Sequence, residues 1–466
     1  MVSHWLGELA KSSWKKRDSV TKDRLKLQGR LTSLILAAIL VLLAPLIITV
    51  VSSILLYSYF RKTNQAPANL NKRILLTGGK MTKSLQLARL FHRAGYQVLL
   101  AETEKYRCSG HAYSNCVTSF HLLPDQEKGF DEYRKKIEEI VKREKVDILI
   151  PVASPSAVHF DAKLKNYLSS DVSIFHFDEE MLSMLDDKFR MCQAAKSIGL
   201  SAPEVHLIKE SKALDDLDLV RRGKKYILKS VVYDPVERLN RPLLPFGGIK
   251  EYVRGLRMSE DRPWVLQEYV EGSEFCTHSV VHNGRIVLHC CCQSSDFQLR
   301  YLHVEKPEIL EWIEKFVDHY KLSGQISFDF IIKADGTVMP IECNPRTHSA
   351  ITCFYNSSKT AASYLALPEG VNRDLIHQPS PSARETYWLY HELWALVCSR
   401  KARSILEKVS LFCSGKEAIF DVKDPIPFLM VNHWQIPFLL FKAFLSGKPW
   451  LRIDFNIGKL VEAGGD

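Results

Sequence analysis

Apolar and polar residues alternate in two short runs near the middle of the chain, at positions 326–332 and 338–344. Alternation with a period of two is typical of β-strands with one buried face. The polar segment between the runs contains Asp335-Gly336, a dipeptide that favours a two-residue hairpin turn. The pattern therefore predicts an antiparallel hairpin with a tight turn.

This hairpin would place three oxygen-bearing side chains on one face. With a two-residue turn, Asp329 lies directly opposite Glu342, and Asn344 follows on the same face two positions along. Directly opposed carboxylates repel each other and destabilise a sheet. A hard cation such as Mg²⁺, which takes one or two carboxylates and leaves other positions for water or phosphates, would remove that repulsion. We therefore predict a magnesium site here; the alternative is a solvated hairpin with scattered acids.

Strand and helix patterns alternate before this hairpin, at 73–76, 87–94, 97–101, 131–144 and 145–152. This order predicts a doubly wound α/β domain over residues 72–180. Gly78-Gly79 follows the first strand, but the chain has neither G-x-G-x-x-G nor the P-loop pattern there. A turn without a nucleotide role is the expected function of these glycines.

The longest feature of the hydrophobicity pattern is the run 31–60, which contains no charged residue. As a helix it would extend about 45 Å, more than the roughly 30 Å hydrocarbon core of a bilayer. The run is too long, and starts too late, for a cleaved signal peptide. It predicts a membrane segment in contact with lipid; a buried helix of a soluble protein is the alternative.

Two further apolar strands carry polar groups. Lys229 is flanked by apolar residues in a strand pattern at 224–232, where its burial is costly unless the ammonium group reaches water or an anion. A strand at 264–266 leads into QEYVEGSE at 267–274. An acid or amide beside exposed strand-end backbone can bind an adenine edge, and Glu274 can accept ribose hydroxyls. Taken alone, a surface lysine and an ordinary acidic turn explain these residues equally well.

In their order and spacing these residues resemble the ATP-grasp superfamily. The resemblance covers residues 72–365 and rests on Lys188, Lys229, the stretch 267–274, Asp329 and the motif ECNPR at 342–346. It implies an α/β and α+β architecture, in which a Rossmann-like pre-ATP-grasp domain precedes an ATP-grasp fold at 181–365.

The resemblance also implies roles for individual residues. The ATP molecule would be held by Lys188 and Lys229 at the phosphates, Gln267 or Glu268 and the backbone of Val270 at the adenine, and Glu274 at the ribose. One or two Mg²⁺ ions would be bound by Asp329, Glu342 and Asn344. Arg346 and Lys229 would act on the transferred phosphoryl group as the catalytic residues.

A narrower resemblance is to the ATP-grasp ligases of mycosporine-like amino acid biosynthesis. It rests on Lys229-Ser230 with residues 234–238 and 243–245, on residues 344–350, and on residues 452–458. It implies ATP-dependent activation of an oxygen of 4-deoxygadusol and attack by the amine of glycine, giving mycosporine-glycine, ADP and phosphate. The alternatives are a ligase for another carboxylate or cyclitol and a membrane-tethered ATP-binding sensor without turnover.

One position departs from the superfamily pattern. Several peptide-forming members have an arginine two residues before the first metal-binding acid, where this chain has Ser327. Carboxylate–amine ligation of the usual kind is therefore less strongly implied than ATP-dependent ligation in general. The complete set of metal-binding and phosphoryl-binding residues argues against the sensor.

Charge near the apolar run bears on its topology. Residues 1–30 form a basic arm with eight Lys or Arg against three acids, and four more basic residues follow the run at positions 61, 62, 72 and 73. The arm favours a cytoplasmic N-terminus, so a single span would place the later domains outside. Because ATP is cytoplasmic, we expect a re-entrant or monotopic anchor, which Pro45 would permit, or a span that breaks the charge rule, with the catalytic domains facing the cytoplasm.

The remaining composition adds little chemistry. A net charge of +10 without a basic, aromatic-interleaved patch gives no indication of nucleic-acid binding. The eleven cysteines include no zinc-type C-x2-C pairs and are expected to be buried thiols. Residues 366–466 predict a helical extension whose broken apolar runs pack on the core or lie on a bilayer. His348 is expected either to have a structural role or to bind substrate.

Overall fold

The computed structural model describes residues 19–61, 70–152, 155, 157–215, 217, 219, 223–231, 241–256, 258–294, 299–365, 376–397 and 402–447, without the side chains of 19–29, 61 and 402–404. Three features of the sequence therefore lie outside the described residues, namely the part of the basic arm before residue 19, residues 234–238 and residues 452–458.

The apolar run lies within one long helix, α1, which extends over Ser19–Arg61. Pro45 lies inside this helix, and the hydroxyl of Thr49 donates to the carbonyl of Pro45 at 2.9 Å. By length and composition Arg30–Phe60 is a candidate membrane span, and so is Ile426–Ser446 near the other end of the chain. Length and composition alone are weak evidence, since core helices and signal sequences share both properties.

A parallel five-stranded sheet with order β3-β2-β1-β4-β5 forms the first α/β unit. Its elements are β1 (Arg73–Leu76), α2 (Thr82–Arg93), β2 (Gln97–Thr103), β3 (Ser119–Leu123), α3 (Phe130–Glu144), β4 (Ile148–Ile150), α4 (Ala157–Lys163) and β5 (Ser173–Ile174). Short 3₁₀ helices lie at Glu104–Tyr106, Gly110–Tyr113 and Leu164–Asn166. The central strands are uniformly apolar because a parallel sheet is covered on both faces.

Two antiparallel sheets follow. The elements are α5 (Glu179–Asp186), α6 (Lys188–Ser197), β6 (Val205–Ile208), α7 (Lys212–Asp215), β7 (Tyr226–Ser230), α8 (Ile249–Arg254), β8 (Trp264–Glu268), β9 (Ser273–His282), β10 (Arg285–Gln293), β11 (Arg300–Tyr301), α9 (Pro307–His319), β12 (Gly324–Ile332) and β13 (Val338–Asn344). Strands β6-β8-β7 form what we call the lysine sheet, and β10-β9-β12-β13 form the hairpin sheet. Aromatic side chains from α9 and β12 fill the core behind the hairpin sheet.

The described part of the C-terminal region is not purely helical, which corrects the helical extension predicted over 366–466. Its elements are β14 (Thr386–Tyr387), α11 (Leu389–Val397), α12 (Ala402–Ser414), β15 (Lys416–Glu417), α13 (Ile426–Met430), a π-helix (Val431–Gln435) and α14 (Ile436–Ser446), and they follow the 3₁₀ helix Ser349–Phe354 and α10 (Thr360–Ser363). Strand β14 lies between β11 and β15 in a small fourth sheet. The C-terminal region is thus joined to the core by backbone hydrogen bonds as well as by side chains.

A buried ion pair joins this C-terminal region to the first α/β unit. Arg89 on α2 donates from Nε to Asp424 at 2.9 Å, and the side chains are 2% and 3% exposed. Asp424 also accepts from the hydroxyl of Ser114 at 2.7 Å. The buried negative charge of Asp424 is balanced by the guanidinium group of Arg89.

We expect Arg89→Met to lower the free energy of unfolding by about 3 kcal/mol, because it leaves Asp424 buried without its cation. Arg93→Met, one turn further along α2, is the matched control. Arg93 is 35% exposed in its ion pair with Asp421, so its loss should cost about 1 kcal/mol or less. Chemical unfolding of both variants measures the difference, and equal losses would show that the Arg89 pair has no special structural role.

Candidate active site

The hairpin has the predicted register, but not through the predicted turn. Ile332 pairs with Val338, so the connecting loop is longer than two residues. Without a further irregularity, every residue of β12 would then pair one position away from its predicted partner on β13. A β-bulge in β13 restores the predicted pairing, because Phe330 pairs with Pro340 while Asp329 pairs with Glu342. The two-residue turn was wrong, and the prediction that the two carboxylates face each other is confirmed.

The residue left over by the bulge is Ile341, whose carbonyl group points toward the lysine sheet. It accepts a hydrogen bond from Lys229 Nζ at 3.3 Å and another from Gln267 Nε2 at 3.1 Å. Lys229 lies on β7 and Gln267 on the adjacent β8. These two contacts bring the lysine sheet and the hairpin sheet together at the candidate site.

The two opposed carboxyl groups have different ionisation. Burial raises the pKa of Asp329 to about 8, and the neighbouring charges of Glu342 and Glu274 add to this effect. Burial would also raise the pKa of Glu342, but Lys188 and Lys229 outweigh it and lower that pKa to about 2. Burial thus favours the protonated form of Asp329, whereas the two lysines favour the ionised form of Glu342.

Two lysines surround Glu342. Lys188 begins helix α6, and its Nζ lies 3.5 Å from Glu342 Oε1. Asp187 caps that helix by accepting from the backbone N–H of Phe189 at 2.8 Å, which fixes the position of Lys188. Lys229 is only 3% exposed. Its burial lowers its pKa to about 8, although the charge of Glu342 acts in the opposite direction.

The structure distinguishes between Gln267 and Glu268, the two residues that were predicted as alternatives for binding the adenine. Successive side chains of a strand point to opposite faces, so only one of Gln267 and Glu268 can share the face of Lys229. That residue is Gln267, which is 1% exposed and whose Oε1 has no hydrogen-bond partner among the described residues. Glu268 pairs instead with Lys224 at 3.2 Å and accepts from the backbone N–H of Glu204 at 3.0 Å. Glu268 therefore lies on the face of the lysine sheet that points away from Lys229 and Gln267.

The two remaining residues predicted to bind nucleotide lie just beyond β8. Val270 lies two residues after the end of the strand and is 7% exposed. Glu274 is exposed on β9, opposite Ile331 of β12. Because Ile331 and Asp329 point to the same face of β12, Glu274 lies on the face of the hairpin sheet that carries Asp329.

Arg346 is held at the other end of the carboxylate pair. Its guanidinium group donates to the amide oxygen of Asn344 and lies 3.4 Å from Asp186 Oδ1. Burial would raise the pKa of Asp186, but a hydrogen bond with His159 and the charge of Arg346 together lower it. Sequence analysis missed Asp186. Its position directly before Asp187-Lys188 was the available signal, but spacing alone does not pair it with a residue 160 positions away.

His348 has a structural role in the described part of the chain. It caps the 3₁₀ helix Ser349–Phe354, where its Nδ1 accepts from the backbone N–H of Ala350 at 3.2 Å. Burial lowers the pKa of His348 to about 3, and the charge of Lys83 acts in the same direction. Lys83 itself donates to the carbonyl of Thr347 at 2.7 Å. Lys83, which sequence analysis did not identify, thus joins the first α/β unit to the segment that follows Arg346.

The oxygen ligands available here fit magnesium. Asp329 Oδ1 is buried and has no hydrogen-bond partner within the described ranges, and the hydroxyl of Ser327 beside it is in the same state. Asn344 has a second lone pair on the oxygen that Arg346 contacts. No group of three or more His, Cys, Asp or Glu residues suited to a metal occurs in the part of the chain that the structure describes. Two carboxylates and an amide are nevertheless a sufficient protein contribution when phosphates and water complete the shell.

Lys229 gives a prediction for the pH dependence of nucleotide affinity. Because its pKa is about 8 in the free protein, the ammonium group becomes neutral as the pH rises above 8. We expect KM for ATP to rise between pH 8 and pH 9.5 as this cation is lost. In Lys229→Met the KM should be about 100-fold higher at pH 7 and should not change over this range. Initial rates at varied ATP concentration measure this; an inflection that persists in Lys229→Met would assign the titration to another group.

Solved structures show where this fold occurs. Carboxyaminoimidazole ribonucleotide synthase from Aspergillus clavatus, complexed with ATP, is 15% identical over 68% of this chain and 81% of its own length, with a TM-score of 0.50. N5-carboxyaminoimidazole synthetase from Staphylococcus aureus is 16% identical over 66% of this chain and 81% of its own, with a TM-score of 0.48. L-amino acid ligase from Bacillus licheniformis is 15% identical over 61% and 69%, with a TM-score of 0.47.

The Aspergillus structure shows that this chain shares a mixed α/β fold with that synthase. No family model matches the sequence, and no curated protein matches it.

Proposed function

We propose that this protein is an ATP-dependent ligase. The observation that carries the proposal is the buried Asp329 opposite Glu342, with Lys188 beside Glu342 and Lys229 at the carbonyl of the adjacent Ile341. Buried charges of both signs around an unpartnered oxygen are costly without a ligand, and a magnesium–nucleotide complex supplies both the cation and the polyanion. The Aspergillus synthase of the same fold was solved with ATP, which supports this choice of ligand.

The side chains divide the work of phosphoryl transfer. Lys188 and Lys229 would bind the phosphates, Gln267 and the backbone of Val270 would orient the adenine, and Glu274 would bind the ribose. Magnesium held by Asp329, Glu342 and Asn344 supplies charge neutralisation at the phosphates when it is bound. Arg346, oriented by Asp186, would hold the oxygens of the transferred phosphoryl group in its fixed fork.

The specific reaction that we propose joins glycine to 4-deoxygadusol. An oxygen of 4-deoxygadusol attacks the γ-phosphorus of ATP, so that an O–P bond forms and ADP leaves. The glycine amine then attacks the carbon that bears the phosphorylated oxygen, the C–O bond breaks, and phosphate departs while the amine loses a proton. Phosphorylation is needed because it turns a poor oxygen leaving group into a good one. The products are mycosporine-glycine, ADP and phosphate.

Ser327 supports an acceptor that is not a simple carboxylate. It occupies the position where several peptide-forming relatives have arginine, and it pairs with Asn344 across the hairpin. Its side chain is fully buried and carries no charge. A neutral hydroxyl suits a ring oxygen better than it suits a carboxylate anion.

The test uses the full chain in detergent micelles, because α1 packs against the folded body. ADP release is measured with Mg-ATP, 4-deoxygadusol and glycine, with each omitted in turn, and the products are followed by ultraviolet absorbance. ADP and a new absorbing product that require all three substrates are the expected result. If ADP formation does not depend on 4-deoxygadusol but requires another carboxylate or cyclitol, the protein is a ligase with a different acceptor substrate. ATP binding without turnover in any mixture would favour the membrane-tethered sensor.

We also propose that the protein is attached to a membrane through residues 31–60, with the ATP site in the cytoplasm. The support is the uncharged length of this run and the cytoplasmic location of ATP.

A further inference from the structure

One side of α1 packs against the rest of the chain, and the other sides are exposed. Within residues 31–60 the buried and half-buried positions are Leu36 and a regular series at Ser33, Ala37, Leu40, Ala44, Ile47, Val51, Ile54 and Ser58. The series alternates steps of four and three residues, which is the spacing of a helix that packs along a single seam. Every other residue of 31–60 is exposed. Most of the circumference of α1 is therefore apolar and uncovered.

The partner along this seam is the C-terminal helical segment. His433 of the π-helix contacts the carbonyl of Leu40 through Nδ1 at 2.7 Å, and Arg30 donates to the carbonyl of Phe444 at 3.1 Å. Since low numbers on α1 meet high numbers on α14, the two helices are antiparallel. A carbonyl can only accept, so His433 Nδ1 carries the proton, and in the neutral ring Nε2 accepts from Tyr390 OH at 2.8 Å.

Helix α14 is apolar on both of its faces. Its inner face is buried through Ile436, Leu439, Leu440 and Ala443. Its outer face, extended by Trp434 of the π-helix, exposes Trp434 (51%), Phe438 (40%), Phe441 (49%) and Leu445 (63%), which follow at steps of four, three and four. A helix that is apolar all round is typical of a protein interior or of a bilayer. The outer face of α14 is not in the protein interior.

The inner face of the same segment packs on the first α/β unit. Gln435 accepts a hydrogen bond from the backbone N–H of Gly110 at 2.8 Å, and a side chain at position 110 would overlap the backbone of Val431. Gly110 begins a 3₁₀ turn that is followed by the loop to β3. A bilayer that surrounded α14 would have to displace these contacts, so only the outer face of α14 is available to hydrocarbon.

We propose that α1 and α14 lie side by side in one leaflet of an anionic bilayer as a monotopic anchor, with their outer faces in hydrocarbon and without crossing the membrane. The hydroxyls of Thr49 and Ser53 donate to carbonyls of α1 itself, at 2.9 and 2.8 Å, so they need no water. The long side chain of Lys442, exposed on α14, can extend to the headgroups. The eight basic residues of positions 1–30 favour anionic lipid as the partner. The proposal does not depend on the ligase activity.

Vesicle flotation tests the outer face of α14. The full chain is dialysed from detergent into phosphatidylcholine vesicles with and without phosphatidylserine. Leu445→Glu should reduce the floating fraction at least threefold, because it places a charge in hydrocarbon. Leu302→Glu is the matched control, since Leu302 is 47% exposed directly after β11, outside α1 and α14, and its replacement should have no effect. Equal flotation of both variants would overturn the role of α14. If the wild-type chain does not float and instead forms a stable dimer, the outer face of α14 binds a second copy of the chain and not a bilayer.

Sealed membrane vesicles with the cytoplasmic face outward test whether the chain crosses. An N-terminal affinity tag and the native, exposed Cys413 report the two sides of α1. We expect protease to remove the tag, and a membrane-impermeant maleimide to label Cys413, without detergent. If only one of the two is accessible until detergent is added, α1 spans the bilayer and the monotopic arrangement is wrong.

Discussion

Replacing Glu342 by glutamine should lower kcat/KM for Mg-ATP at least about 10³-fold. The substitution keeps the size of the side chain and removes the charge that Lys188 and Lys229 surround. A metal ion contributes several kcal/mol to stabilising phosphoryl transfer, and about 4 kcal/mol corresponds to a factor of 10³. The loss should therefore exceed that of any substitution at the adenine end of the cleft.

ADP release by the purified full chain measures this effect. Glu311→Gln on α9 is the matched control, because that carboxylate is 65% exposed in an ion pair with Lys315 and should not influence turnover. Thermal unfolding of both variants is recorded alongside. A folded Glu342→Gln protein with activity within a factor of ten of the wild type would contradict the proposed metal site.

Replacing Asp329 by asparagine should abolish ADP formation and, in the absence of metal, stabilise the protein. Because burial raises its pKa to about 8, Asp329 binds a proton in the folded state that the unfolded chain releases above pH 4. The stability of the metal-free protein should therefore fall as the pH rises from about 4 to about 8. Asparagine removes this cost and the repulsion from Glu342. At pH 8 we expect a gain on the order of 2 kcal/mol, which raises Tm by a few degrees.

Unfolding curves at pH 5 and pH 8, with EDTA and with MgCl₂, test this second prediction. Wild-type protein should be stabilised by magnesium more at pH 8 than at pH 5, because a protonated Asp329 cannot bind the ion. Asp329→Asn should show little response to magnesium at either pH. Asp318→Asn, an exposed substitution of the same kind, is the control. A metal-free Asp329→Asn protein that is less stable than the wild type would mean that the carboxylate is structural.

The opposed carboxylates are the part of the site that local sequence determined most directly. Alternation with a period of two places Asp329 on one face of its strand and Glu342 on one face of the other, but the register that opposes them also depends on the loop between the strands. The turn was less predictable, because a longer loop and the bulge at Ile341 shift the register in opposite directions and cancel. The bulge also directs the carbonyl of Ile341 to Lys229 and Gln267, and these hydrogen bonds join the lysine sheet to the hairpin sheet.

The choice between Gln267 and Glu268 could not be made from the sequence. Both are polar residues at the end of one apolar strand, and their faces become distinct only when β8 is placed between β6 and β7. The contact of Arg346 with Asp186 is of the same kind. It joins residues that no short-range periodicity relates, so it depends on the path of the whole chain.

The sequence by itself determined that residues 31–60 form a long apolar helix, that a hairpin carries Asp329 and Glu342 on its two strands, and that a parallel α/β unit precedes this hairpin. These follow from backbone geometry, which repeats every two or 3.6 residues and acts within a few positions. Only the tertiary structure decided which side of α1 is covered, since a uniformly apolar run has no periodicity to mark a face. It likewise decided the contact of the lysine sheet with the hairpin, the opposite directions in which the pKa values of Asp329 and Glu342 are shifted, and the packing of α14 on α1, because burial and charge depend on neighbours that are distant in the sequence.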